Sequence, residues 1–238
     1  MNFQAGEILY FDKPLYWTSF NLVAKVRSAL CHKIGVRKLK VGHAGTLDPL
    51  ATGVVTVCTG KATKKIDELQ AYTKEYVATL QLGTTTPSFD LETNIDATFP
   101  TAHISEQKVR EALMKFKGRI EQVPPAFSAC KIDGHRAYAL ARKGKDVQLK
   151  AKILVIDEIE LLHFDLDSMQ ITIRVVCSKG TYIRALARDI GKALHSGAHL
   201  IALRRTQVGN IRVEDCMKME DFDQWLEKQE IETESDND

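Results

Sequence analysis

From Met169 to Cys177 the chain alternates, with Met169, Ile171, Ile173, Val175 and Cys177 on one side and Gln170, Thr172, Arg174 and Val176 on the other. A period of two is satisfied by a strand with one buried face, so this segment commits the chain to a sheet. After the Ser178-Lys179-Gly180 loop the period lengthens to that of a helix. Ile183, Leu186, Ala187, Ile190 and Leu194 form its buried stripe, and Arg184, Arg188 and Lys192 are expected on the opposite stripe, Arg188 and Lys192 as solvated charges. Gly53 to Cys58, Glu75 to Leu82 and Ile153 to Leu162 also read as strands. Thr18 or Ser19 can cap a helix with Phe20, Val23, Ala24 and Leu30 inward. Ser105 can open another, with Val109, Ala112, Leu113 and Phe116 inward and Gly118 closing it. Without a βαβ rhythm, this order predicts an α+β fold, a central and largely antiparallel mixed sheet flanked by helices.

No internal repeat or Pro/Gly/Ser linker divides the body, so residues 1–226 are expected to form one domain. Residues 122–152 differ in character. Pro124-Pro125 leads into Lys131, His135, Arg136, Tyr138, Arg142, Lys143 and Lys145, which suggests an inserted basic flap able to cover a nucleic acid. Net charge is only +2, but from Glu227 onward six acids and one lysine give −5, leaving +7 on the body. That body can attract a polyanion, and the acidic end at 227–238 is expected to be a solvated, disordered tail. Five scattered cysteines without a C-x-x-C pair argue against structural zinc and a disulfide framework, and Cys58 and Cys177 read as buried, inert thiols. The first residues lack a secretory pattern and no run of about eighteen apolar residues occurs, so a soluble cytoplasmic protein is expected.

Chemistry concentrates in Gly42-His43-Ala44-Gly45-Thr46-Leu47-Asp48-Pro49-Leu50-Ala51-Thr52-Gly53. Three glycines permit tight turns, and Pro49 biases Asp48 toward an extended backbone. A carboxylate on a stiff loop is a plausible nucleophile, although Asp-Pro also initiates turns and Asp caps helices. The competing phosphate-loop reading of Thr59-Gly60-Lys61-Ala62 fails twice. Val55 stands where a Walker motif needs Gly, and Ala62 where it needs Ser or Thr.

The Gly42 to Gly53 segment resembles the signature of the TruB family of tRNA pseudouridine synthases, which modify uridine 55 in the T arm. Four further stretches resemble the same family in the same order. They are Asp12-Lys13-Pro14 with Thr18-Ser19, Thr73-Lys74-Glu75-Tyr76, Gln122 to Ala129 with its continuation to Arg142, and Ser178 to Arg184. Together they span Ile8 to Gly209.

The resemblance implies a pseudouridine synthase fold and assigns Asp48 as the nucleophile, with Arg184 supplying a guanidinium that orients it and Tyr76 stacking on the target base. Leu203 matches the position on the base's other face, and Asp90 a family aspartate near the catalytic pair. His43 matches the wedge that fills the stack once the uridine has flipped out, and Thr46 joins it as a substrate contact. Lys13 and Lys179 are expected to contact substrate, while Lys61, Lys64, Lys131, Arg136, Arg204 and Arg205 are candidates for the RNA backbone. No metal or cofactor is expected. The implied partner is the T-arm stem-loop of tRNA, engaged by a monomer without a membrane or a guide RNA.

Two departures stand out. Tyr16 occupies a position where the family usually has Gly, so the turn must avoid positive φ or accept strain. The C-terminal PUA domain of longer relatives is also not expected, since Asn210 to Cys216 is followed only by a short helix near Asp221 to Glu227 and the tail. Two rival readings remain. One is a guide-dependent synthase, opposed by the Lys131 to Tyr138 segment, which resembles the stand-alone type. The other is an RNA chaperone without catalysis, opposed by the intact Asp48, Tyr76 and Arg184.

Overall fold

The computed structural model describes residues 1–127, 131–132, 135–136 and 149–232. Most of the basic flap and the end of the acidic tail lie outside them. In chain order the main elements are β1 (Ile8–Lys13), α1 (Ser19–Lys33), β2 (Val41–His43), β3 (Ala51–Thr59), α2 (Ile66–Ala71) and β4 (Lys74–Leu82). The short strands β5 (Thr84–Thr85) and β6 (Ala97–Thr98) precede α3 (Glu106–Met114), β7 (Gly118–Gln122), β8 (Lys131–Ile132), β9 (His135–Arg136) and β10 (Lys152–Asp165). The chain continues through β11 (Gln170–Cys177), α4 (Ile183–Ala193), β12 (Ala198–Val208), β13 (Ile211–Arg212), β14 (Met217–Lys218) and α5 (Phe222–Glu227). Helices and mostly antiparallel strands bear out the α+β expectation. Among the described residues no helix is long and apolar enough to cross a membrane.

The chain divides into two compact units, one of residues 1–74 with 204–238 and the other of residues 75–203. In the first, β14, β1, β3 and β12 are neighbours in that order, with β2 on β3 and β13 on β12. Pairing is mixed, because β1 runs parallel to β14 and antiparallel to β3, where Phe11 faces Val55. Fully buried Phe11, Leu22, Val26, Leu30, Val54, Val57 and Cys58 supply the apolar interior. Burial raises the pKa of the Cys58 thiol, in keeping with an inert side chain. In the second unit β4, β11, β10 and β7 are neighbours, and β10 pairs antiparallel with both β11 and β7.

Three local readings are corrected. Thr18 caps α1 through a reciprocal box with Asn21, but the buried face is Ser19, Leu22, Val23, Val26 and Leu30, and Phe20 is 69% exposed. Apolar residues occur on both sides of this helix, so spacing alone did not select the inward one. Ser105 caps α3 as expected, yet α3 ends at Met114. The next three residues tighten into i→i−3 hydrogen bonds, and Gly118, at φ +90°, opens β7. On α4 Arg184 is buried, Arg188 is half-buried and Lys192 is exposed, so of the two expected solvated charges only Lys192 is one. Ile171, Ile173, Val175 and Cys177 do line the buried side of β11, while Met169 sits before the strand at φ +52°.

Candidate active site

Asp48 lies in the loop from β2 to β3, where neither strand supplies a ladder to fix the backbone. Six consecutive residues are instead tied individually. The Ala44 amide donates to the Thr56 carbonyl at 2.9 Å. The Arg205 guanidinium donates to the carbonyls of Gly45 and Thr46 at 3.2 and 3.4 Å. The Ser19 hydroxyl accepts from the Leu47 amide at 2.9 Å and donates to the Leu47 carbonyl at 3.2 Å. The carbonyl of Asp48 accepts from the Ala51 amide at 3.1 Å, and that of Pro49 from the Tyr16 amide at 2.8 Å. Ala44 and Leu47 are buried anchors, Thr46 and Pro49 are exposed, and Asp48 is half-buried. The loop is therefore fixed through its main chain and by two buried apolar side chains, with the Asp48 side chain half-buried beside Lys13.

Two glycines have distinct roles here. Gly45 adopts φ +99°, which strongly favours a residue without Cβ. Gly53 adopts φ +113°, and a Cβ there would stand 2.1 Å from the carbonyl oxygen of Arg205, so β3 and β12 approach too closely for any side chain. Tyr16 takes the strained alternative, with φ +67°. Its amide holds the Pro49 carbonyl while its ring is 74% exposed.

Lys13, expected to meet substrate, is fully buried at the end of β1. Its Nζ donates to the carbonyls of Pro14 at 2.9 Å and Trp17 at 2.6 Å. Desolvation pulls its pKa down to about 8; Asp48 and Asp12 oppose that shift and Arg205 adds to it. Asp48, Lys13 and Arg205 thus form one electrostatic neighbourhood. Arg205, expected at the RNA backbone, is 1% exposed and spends its donors on carbonyls, with Nε reaching Val54 at 2.7 Å. Burial and these bonds withdraw it from a phosphate. Neighbouring Arg204 points to the other face of β12, where it grips Asp12 with both terminal nitrogens at 2.7 and 3.1 Å and reaches the Thr52 hydroxyl. A cavity of about 450 Å³ lies on that face, lined by Asp12, Lys13, Trp17, Arg204, Lys218 and Met219.

In the second unit, Arg184 occupies the first turn of α4. Its guanidinium lies 3.6 Å from the Asp90 carboxylate, with side-chain exposures of 5% and 7%, and donates to the carbonyls of Ser88 and Phe127 at 3.2 and 2.9 Å. The ion pair brings together Asp90 and Arg184, both expected at the site. Tyr76, on β4, and Leu203, on β12, are each 8% exposed and face inward. Arg188 is held by Asp189, by the Val123 carbonyl and by the Phe89 ring, 4.9 Å from its centre.

The remaining expected contacts are dispersed. Lys61 and Lys64 lie exposed on the 3₁₀ turn after β3, Lys179 is exposed before α4, and His43 ends β2 half-buried. Lys131 and Arg136 face each other in the β8–β9 ladder, and their side chains lie outside the description. Sequence reasoning saw Ser19 only as a possible cap and assigned Arg205 to RNA. An available signal for both was the absence of any ladder partner for the glycine-rich loop, which obliges other groups to satisfy its carbonyls.

Two family models match the chain. The TruB family pseudouridylate synthase N-terminal domain covers residues 32–183, and the tRNA pseudouridylate synthase B C-terminal domain covers residues 184–236. The chain is 69% identical over 232 residues to tRNA pseudouridine synthase B of Phocaeicola vulgatus, covering 98% of each protein. It is 67% identical over 239 residues to the protein of the same name from Bacteroides thetaiotaomicron, covering 100% of each. Among solved structures, a chain of a Cbf5-Nop10-Gar1 complex matches with TM-score 0.71 and 30% identity over 94% of this chain, which spans 55% of that one. A chain of an H/ACA RNP bound to a substrate RNA containing 2′-deoxyuridine matches with TM-score 0.67 and 28% identity, over 94% and 54% respectively. With family models meeting end to end across most of its length and near-full-length relatives at two-thirds identity, the chain belongs to the TruB family of pseudouridylate synthases.

Proposed function

We propose that this enzyme converts uridine 55 in the T arm of tRNA to pseudouridine, with Asp48 as the nucleophile. The observation that carries the reading is the Asp48 loop itself, a family signature whose main chain is anchored at six successive residues while its carboxylate stays half-buried. The reaction breaks the N1–C1′ bond, turns the uracil and joins C5 to C1′. C5 loses its proton and N1 ends protonated, so the change is an isomerisation that balances without an oxidant, a reductant or a cofactor. An ionised carboxylate suits it, because attack on the nucleotide forms a covalent intermediate that divides one hard step into two. Tyr76 stacks on the flipped base, Leu203 bounds it, and His43 takes the vacated place in the RNA stack. Arg184 orients the reacting carboxylate, and Asp90 steadies Arg184. The same reading has a monomer acting in the cytoplasm without a guide RNA; the tRNA substrate is supported by relatives named for tRNA that this chain matches from end to end.

The decisive measurement is tritium release from C5-labelled uridine in transcribed tRNA, with the modified position mapped. Wild-type protein should release label from position 55, and an isolated T-arm stem-loop should suffice. Asp48→Asn should release none while still binding tRNA. Wild-type turnover in that variant would remove the assignment, and a strict requirement for an added RNA would favour a guided synthase.

A further inference from the structure

The mechanism leaves Arg205 unused, although among the described residues it is the bulkiest of the fully buried side chains and carries a permanent charge. Three facts fix its place. Gly53 lets the β12 backbone at residue 205 approach β3 closely. From there Nε reaches Val54 on β3, while the terminal nitrogens cross to Gly45 and Thr46. The carbonyls of Gly45 and Thr46 lie between the end of β2 and the start of β3, where no strand supplies a donor. One rigid guanidinium therefore ties the loop two and three residues ahead of Asp48 to the strand that follows it.

We infer that Arg205 is a positioning residue for the pseudouridylation reaction, setting the direction in which Asp48 leaves its loop rather than contacting RNA. The inference rests on the proposed role of Asp48. A planar fork carries donors on three nitrogens at fixed angles and can hold three carbonyls that diverge, whereas the donors of a lysine all radiate from one nitrogen and cannot span them. Ser19 and Tyr16 secure the loop from Leu47 to Pro49. Releasing Gly45 and Thr46 leaves that half tethered, so the loop shifts locally and does not unfold. Misplacement by about 1 Å is enough to slow a chemical step on the order of a hundredfold while leaving substrate affinity alone.

The test uses full-length Arg205→Met and Arg205→Lys with intact tRNA, in single turnover at saturating enzyme. A rate constant is read separately from amplitude, so an inactive fraction lowers only the amplitude. The expected rate constants fall on the order of a hundredfold for Arg205→Met and about tenfold for Arg205→Lys, with the tRNA Kd within about threefold of wild type. A rate constant within threefold of wild type in a folded Arg205→Lys protein, or failure of both variants to fold, reduces Arg205 to a structural residue and overturns the inference. A large rise in Kd at unchanged rate overturns it in favour of RNA contact. Asp48→Asn, run alongside, separates the two claims. If that variant turns over normally, the nucleophile reading fails; if it is inactive and the Arg205 variants are fast, only the positioning role fails.

Discussion

The carboxylate of Asp48 and the guanidinium of Arg184 reach fixed positions by opposite routes. Asp48 sits on a loop with no repeating geometry, so the backbone is pinned from outside by Ser19, Arg205, Tyr16 and the flanking strand. Arg184 sits on a helix whose own hydrogen bonds place its backbone, so the effort goes into the long side chain through Asp90, Ser88 and Phe127. Damage to a loop anchor should therefore appear mainly in rate, whereas damage to the helix-borne pair should cost stability as well as rate.

The largest stability effect is expected on the helix side. Arg184→Met leaves the Asp90 carboxylate buried without its counter-charge and should cost about 3–5 kcal/mol in urea unfolding. A loss below about 1 kcal/mol would erase the contrast with the loop. On the loop side the sharpest probe is pH. Folded Lys13 gives up its proton near pH 8, whereas in the unfolded chain it holds it to its ordinary value of 10.5. Below pH 8 both states carry the proton and the burial penalty is fully present. Between the two values the unfolded state binds more protons, so stability rises with pH, by roughly 3 kcal/mol for a shift of this size. The check is the difference in unfolding free energy between wild type and Lys13→Met from pH 7.5 to 10.5; a flat difference would mean that Lys13 is not desolvated. The smallest effect belongs to the strained tie. Tyr16→Gly relieves the left-handed backbone while keeping the amide that holds Pro49, and should stabilise by up to about 1 kcal/mol, as read from the urea midpoint at unchanged slope.

Much of the fold was legible because it rests on local periodicity. The alternation of β11, the stripe of α4 and the caps at Thr18 and Ser105 can each be read within a dozen residues. The inward face of α1 was not, since Phe20 and Leu22 are equally apolar and only packing chooses between them. At the site, the glycines and Asp48 were visible as a motif, but the burial of Lys13 and Arg205 was not. A charged side chain reads as solvated until its partner is known. Asp90 is 94 residues from Arg184, and Gly45 is 160 residues from Arg205, so no local pattern links them. Tyr16 shows the converse, because the sequence posed the choice between avoiding positive φ and bearing it, and the structure bears it.

The six-point tether on the Asp48 loop decides which partner must move during the proposed reaction. A segment held at every residue has no hinge, which leaves the nucleophile only rotation about its own side-chain bonds. The distortion needed to bring sugar and carboxylate together therefore falls on the nucleic acid, which must unstack and swing its nucleotide outward while the enzyme acts as a fixed template. Transcripts with a loosened T loop should then react faster than tightly stacked ones, because the rearrangement is theirs to make.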